Sequence, residues 1–121
     1  AFRESIKDSK IHFFKNMEPH DFLRLLNNSL CLVGNSSVGI RECAYMGVPV
    51  VNIGTRQNKR QRGMNVIDVD YSSIEIKEAI LSCKNNPKPP QSDTYGSGNS
   101  GLKIANILSE ITLTSNKTIY Y

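Results

Sequence analysis

Hydrophobic positions recur along this chain in two rhythms, and their order outlines a fold. Lys10-Ile11-His12-Phe13-Phe14 is short, aromatic and β-branched, which predicts a strand. Pro19 suits the first turn of a helix, and Phe22, Leu23, Leu25, Leu26 and Leu30 give that helix an apolar face. Leu30-Cys31-Leu32-Val33 reads as a buried strand, and Ser37 to Met46 as a helix closed by Gly47. Val48-Pro49-Val50-Val51-Asn52-Ile53 is nearly continuous in apolar content, as a parallel strand covered on both faces requires, and Pro49 is tolerable near its start. Val66-Ile67-Asp68-Val69 predicts a further strand, with Asp68 and Asp70 punctuating its end.

The second half changes to the helical rhythm. Ser72 or Ser73 caps a helix in which Ile76, Ala79, Ile80 and Cys83 repeat at i, i+3, i+4 and i+7. Asn86-Pro87-Lys88-Pro89-Pro90 ends it and forms a stiff connector. Tyr95-Gly96-Ser97-Gly98-Asn99 is a turn, and Ile104, Ile107, Leu108 and Ile111 make the stripe of a closing helix over about 99–113, capped by Asn99 or Ser100. Strands alternating with helices imply the α/β class, a parallel Rossmann-like sheet wound by right-handed crossovers.

Composition narrows the functional classes. The 121 residues form a single domain or part of one; 39% are hydrophobic and 21% charged, a balance that excludes disorder. No apolar run is long enough to span a bilayer, and residues 1–20 carry charges throughout, unlike a signal peptide. Cys31, Cys43 and Cys83 lack CxxC spacing and cannot all pair, so they are expected as reduced core residues of a cytoplasmic protein. The chain opens on Ala1 and reaches its first expected strand within a dozen residues, which suggests a piece of something longer.

Charge is localised. Fifteen basic and eleven acidic residues give a net charge of +4. Arg56, Lys59, Arg60 and Arg62 lie in one acid-free segment whose charge equals the whole excess, which points to a single anionic partner. Residues 54–66 contain no aromatic side chain on which a base could stack, so a nucleic-acid interface is not expected. His12 and His20 have no cysteine or carboxylate cluster at ligand spacing, and no metal is expected.

Candidate chemistry concentrates where the strand ending at Val33 opens into Gly34-Asn35-Ser36-Ser37. Ligands of open parallel sheets sit beyond the carboxyl ends of strands. Gly34 and Asn35 make the backbone turn, and the Ser36 and Ser37 hydroxyls beside free helical N–H groups suit a phosphate. The same residues serve equally as an ordinary helix cap. Glu42 is either an acceptor for ribose hydroxyls or a solvated charge. Arg56 follows the next strand and either clamps phosphate oxygens in a bidentate fork or belongs to a solvated loop.

Taken in order, GNSSVGIRE, a helix ending MGVPVVNIGTRQ, then RxxGMNV and finally YGSGN resemble the hydrolysing UDP-N-acetylglucosamine 2-epimerases from about His12 to Glu110. The resemblance implies the glycosyltransferase-B architecture of two Rossmann-like domains, with residues 1–121 forming part of the carboxyl-terminal one. It implies that UDP-N-acetylglucosamine or a related UDP-sugar loses its C2 proton and expels UDP, and that water adds to the glycal to release N-acetylmannosamine. By the same resemblance Ser36, Ser37 and Arg56 hold the diphosphate, Glu42 the ribose, and Met17 lies near uracil, with no cofactor required. The proton-transfer residues are expected upstream of Ala1, leaving this chain without catalytic groups of its own, and the full-length protein is expected to be a homo-oligomer. At Ser97 many relatives carry Asp, so no role is carried to that turn. A glycosyltransferase acting on a UDP donor, or a non-catalytic nucleotide-sugar module, are the other readings of the same motifs.

Overall fold

The computed structural model describes residues 10–96 and 98–110. Ser97, Ile111 and the tail from Thr114 therefore lie outside the described residues.

Helix α1 (Pro19–Asn27) starts where the sequence allows it: proline occupies its first turn, where no N–H partner is needed, and the Glu18 carboxylate accepts from Asp21 N at 3.2 Å. It buries Leu26 and packs Phe22 inward. Strands β1 (Leu32–Gly34), β2 (Val50–Ile53) and β3 (Val66–Val69) form a parallel sheet in the order β1-β2-β3. Leu32 lies opposite Val50, and Asn52 lies between Gly34 and Asp68.

Because side chains alternate across a strand, adjacent residues of β2 serve opposite layers. Val50 joins Leu26, Cys43 and Val48 beneath α1 and the helices after β1, whereas Val51 joins Ala79 and Cys83 of helix α4 (Ser73–Asn85). The result is a Rossmann-like α/β sandwich, as expected. The Ser72 hydroxyl caps α4 by accepting from Glu75 N at 3.3 Å, and the Glu75 carboxylate in turn accepts from Asp70 N at 3.0 Å.

The expected helix over 37–46 is two short helices, α2 (Ser37–Ile40) and α3 (Glu42–Met46), joined at Arg41. The Nδ2 of Asn65, buried beneath them, donates to the Gly39 carbonyl at 3.2 Å, which draws that acceptor out of the helical ladder. Close packing on the sheet demands glycine here: a Cβ on Gly39 would stand 2.8 Å from Cγ1 of Val50. Gly47 closes α3 in the left-handed region, φ 69°, as expected.

Three strand expectations need correction, the mildest being β2, which begins at Val50 and not at Val48. Residues 11–14 form no strand, and Ile11, Phe13 and Phe14 are exposed. Strand propensity needs a neighbouring edge to pair with, and among the described residues no strand pairs with this segment. β1 begins two residues later than expected, at Leu32, and is not buried throughout: Val33 is 41% exposed because β1 is an edge of the described sheet.

The crossover between β2 and β3 contains no helix, although parallel neighbours usually need one to satisfy and cover the connecting backbone. Side chains take over that task. Asn65 Nδ2 also donates to Val48 O at 3.1 Å, and Arg62 Nε lies 2.7 Å from the carboxylate of Asp68, which accepts from Asn52 Nδ2 at the same distance. Asp68 is thus an internal strand residue that joins an amide to a guanidinium, not punctuation at the strand's end. Helix α5 (Ser100–Glu110) follows Asn99, one of the two expected caps, whose carbonyl accepts from Lys103 N at 3.1 Å, and it buries none of its residues. Among the described residues no helix is long and apolar enough to cross a membrane.

Candidate functional site

The carboxyl ends of β1 and β2 are neighbours in the sheet, so the segments leaving them meet. β1 ends at Gly34, φ 154°, and Asn35 and Ser36 carry the chain into α2. The structure realises the capping role of Ser36: its Oγ accepts from Val38 N at 3.3 Å, and its carbonyl accepts from Gly39 N at 3.1 Å. A capping hydroxyl uses a lone pair, so its proton remains available to an anion. Ser36 is exposed and Ser37 half-buried at the first helical position.

From β2 the chain passes through Gly54 and Thr55 to Arg56 and Gln57. Arg56 Nη1 donates to Asn35 Oδ1 at 3.4 Å, and Gln57 Nε2 donates to the Asn35 carbonyl at 2.9 Å. Arg56 is exposed and Gln57 is 4% exposed. The Asn35 turn and the Arg56 loop therefore meet, and Asn35 is the residue through which they do so. An anion entering here would find a guanidinium and a hydroxyl proton.

Glu42 is the first residue of α3, not a residue in the second turn of a continuous helix. It is half-buried on the wall of an open cavity of about 430 Å³ that Tyr45, Tyr95, Leu23 and Ser100 also line. Behind it, Cys43 is fully buried; burial first and the Glu42 charge second push its thiol up to about 11. Burial also raises the Cys31 thiol, with its neighbour Cys83 adding to the effect. All three cysteines are free. Met17 is half-buried in the segment before α1 and is not among the residues lining the cavity.

The four cations of the loop divide. Arg62 is paired with Asp68, and its Nη1 donates to Arg60 O at 2.6 Å, so it is a structural residue; Lys59 and Arg60 are exposed. Tyr95 Oη donates to Gln61 O at 2.6 Å and fastens the loop to the later turn. Sequence reasoning missed Asn52, Gln57 and Asn65, each buried. The only hint was compositional: amides interrupt an apolar strand and flank a basic loop without forming a turn motif. Among the described residues no three His, Cys, Asp or Glu side chains are grouped as a metal would need.

Residues 1–109 match the model of the UDP-N-acetylglucosamine 2-epimerase family. The chain is 37% identical over 115 residues to a UDP-N,N'-diacetylbacillosamine 2-epimerase (hydrolyzing) of Legionella pneumophila, covering 95% of this chain and 30% of that one. It is 37% identical over 92 residues to a UDP-N-acetylglucosamine 2-epimerase of Neisseria meningitidis, covering 76% of this chain and 24% of the relative. To the Polysialic acid biosynthesis protein P7 of Escherichia coli it is 29% identical over 115 residues, 92% of this chain and 29% of that protein. It thus spans less than a third of the length of these relatives. With an α/β sheet whose β1 and β2 turns meet at Asn35 and a match over residues 1–109, the chain belongs to the UDP-N-acetylglucosamine 2-epimerase family.

Proposed function

We propose that this chain supplies the nucleotide-binding part of a hydrolysing UDP-N-acetylglucosamine 2-epimerase, within the carboxyl-terminal domain of a glycosyltransferase-B protein. The observation that carries the reading is the contact of Arg56 and Gln57 with the Asn35 turn, in a chain of this family. In this scheme the bond from the sugar's anomeric carbon to the β-phosphate oxygen breaks as the C2 proton leaves, and its electron pair moves onto departing UDP. Arg56, Ser36 and Ser37, donors gathered around the Asn35 turn, neutralise that charge. Glu42 accepts from the ribose hydroxyls, and Met17 borders the base. Water then adds to the glycal and free N-acetylmannosamine departs.

The groups that move the C2 proton are assigned to the part of the relatives that this chain does not span, so the chain alone is proposed to be inactive. The substrate is UDP-N-acetylglucosamine or the diacetamido sugar nucleotide in the name of the Legionella relative. The full-length protein is proposed to work as a cytoplasmic homo-oligomer. In that protein Arg56→Ala or Ser37→Ala should slow UDP release about 100-fold, the scale of losing one prearranged donor. UDP release from UDP-N-acetylglucosamine measures this, and near-normal turnover of both variants would refute the site assignment.

A further inference from the structure

Gln57 has no place in the scheme above, yet it directly follows Arg56 and is bonded to the Asn35 turn. It is almost wholly buried in a segment without helix or strand, directly after Arg56. Its Nε2 donates to the Asn35 carbonyl at 2.9 Å, while its Oε1 has no hydrogen-bond partner among the described residues. A buried amide that donates one bond and leaves its oxygen unpaired is a poor choice for packing alone, because the unsatisfied oxygen costs stability that an apolar side chain of equal size would not. What the amide supplies is the donor.

We infer that Gln57 is a positioning residue, holding the Asn35 turn and the Arg56 guanidinium in one geometry through its bond to the Asn35 carbonyl; this rests on the UDP-site reading. The turn and the loop belong to different strands, and the Arg56 side chain reaches Asn35 only by a long, exposed bond of 3.4 Å. A guanidinium tethered so loosely would sample many orientations. The buried Gln57 bond fixes the backbone from which Arg56 projects, so the fork meets an arriving anion already aligned. Arg60 N donates to the Gln57 carbonyl at 3.3 Å and Asn58 N to the Thr55 carbonyl at 3.0 Å, so the backbone on both sides of Gln57 is held in turns.

The test is a double-mutant cycle on UDP affinity in the full-length protein, by calorimetry, with wild type, Arg56→Ala, Gln57→Met and the double variant. Methionine keeps the length and loses the donor. Gln57→Met should weaken UDP binding about 10-fold, a modest part of what misplacement can cost. In the Arg56→Ala background the same change should weaken it less than about 2-fold, since a residue acting through Arg56 has nothing left to position. Additive losses would mark Gln57 as merely structural and overturn the inference. So would unaltered UDP binding by Gln57→Met alongside impaired Arg56→Ala, an outcome that leaves the site reading intact. Wild-type protein that binds no UDP overturns both. Should Gln57→Met not fold, Gln57→Glu keeps the shape without the donor and takes its place in the cycle. Failure of both variants to fold makes Gln57 a folding residue and overturns the proposal.

Discussion

Gln57 stands in the most basic stretch of the chain and is 4% exposed, whereas Ile107 stands in one of its cleanest apolar stripes and is 57% exposed. The same inversion holds around each of them. In and beside the β2–β3 crossover, Asn52 and Asn65 are buried; along α5, Leu102, Ile104 and Leu108 are exposed. Residue type therefore governs local conformation in both regions but burial in neither. The crossover lies under the break between α2 and α3, where any backbone must have its hydrogen-bonding groups answered, so amides are drawn inside. α5 gets its helical form from spacing alone, and among the described residues nothing buries its stripe.

The comparison sharpens into measurable differences. The largest belongs to Asn65: Asn65→Ala removes the donor from two carbonyls, Gly39 and Val48, and should destabilise the chain by about 2–4 kcal/mol in urea titrations. Next, Asp68→Ala strips the buried Asn52 amide and the Arg62 guanidinium of their shared acceptor, and about 1–3 kcal/mol should be lost.

Alkali should act through Cys43. Its folded-state pKa is raised, so the stability it contributes is complete below pH 9, the usual thiol value, and drains away as pH climbs towards 11. Denaturation midpoints at pH 8, 9.5 and 11 would show this decline, and Cys43→Ala should make it shallower, leaving the part due to the raised Cys31 thiol. Smallest of all, Ile107→Ser on α5 should change stability by no more than about 0.5 kcal/mol, the ordinary range for an exposed position. A loss several times larger would break the comparison by showing the stripe to be covered.

The strands β2 and β3 and the helices α1, α4 and α5 were legible because each follows one periodicity with recognisable ends: Pro19, Gly47, Ser72. Residues 11–14 misled, since aromatic and β-branched content says nothing about whether an edge lies within reach. The break at Arg41 was illegible because its cause, Asn65, lies 24 positions away in sequence. The meeting of the Asn35 turn with the Arg56 loop follows from parallel strands in sequence order, whose carboxyl ends lie side by side. Gln57 could not be anticipated, since a glutamine in a cationic loop has no local mark distinguishing an inward from an outward side chain.

The pairing of Asn52 with Asp68 has a consequence for how the chain finds its alignment. The two face each other across β2 and β3, a carboxylate beside an amide in an otherwise aliphatic ladder. Were β3 to slide by one place, Ile67 would confront Asn52, and the charge of Asp68 would turn towards the opposite layer with neither Arg62 nor Asn52 to meet it. Two polar residues thus act as key and lock for strand alignment, making every other threading of this sheet worse than the native one.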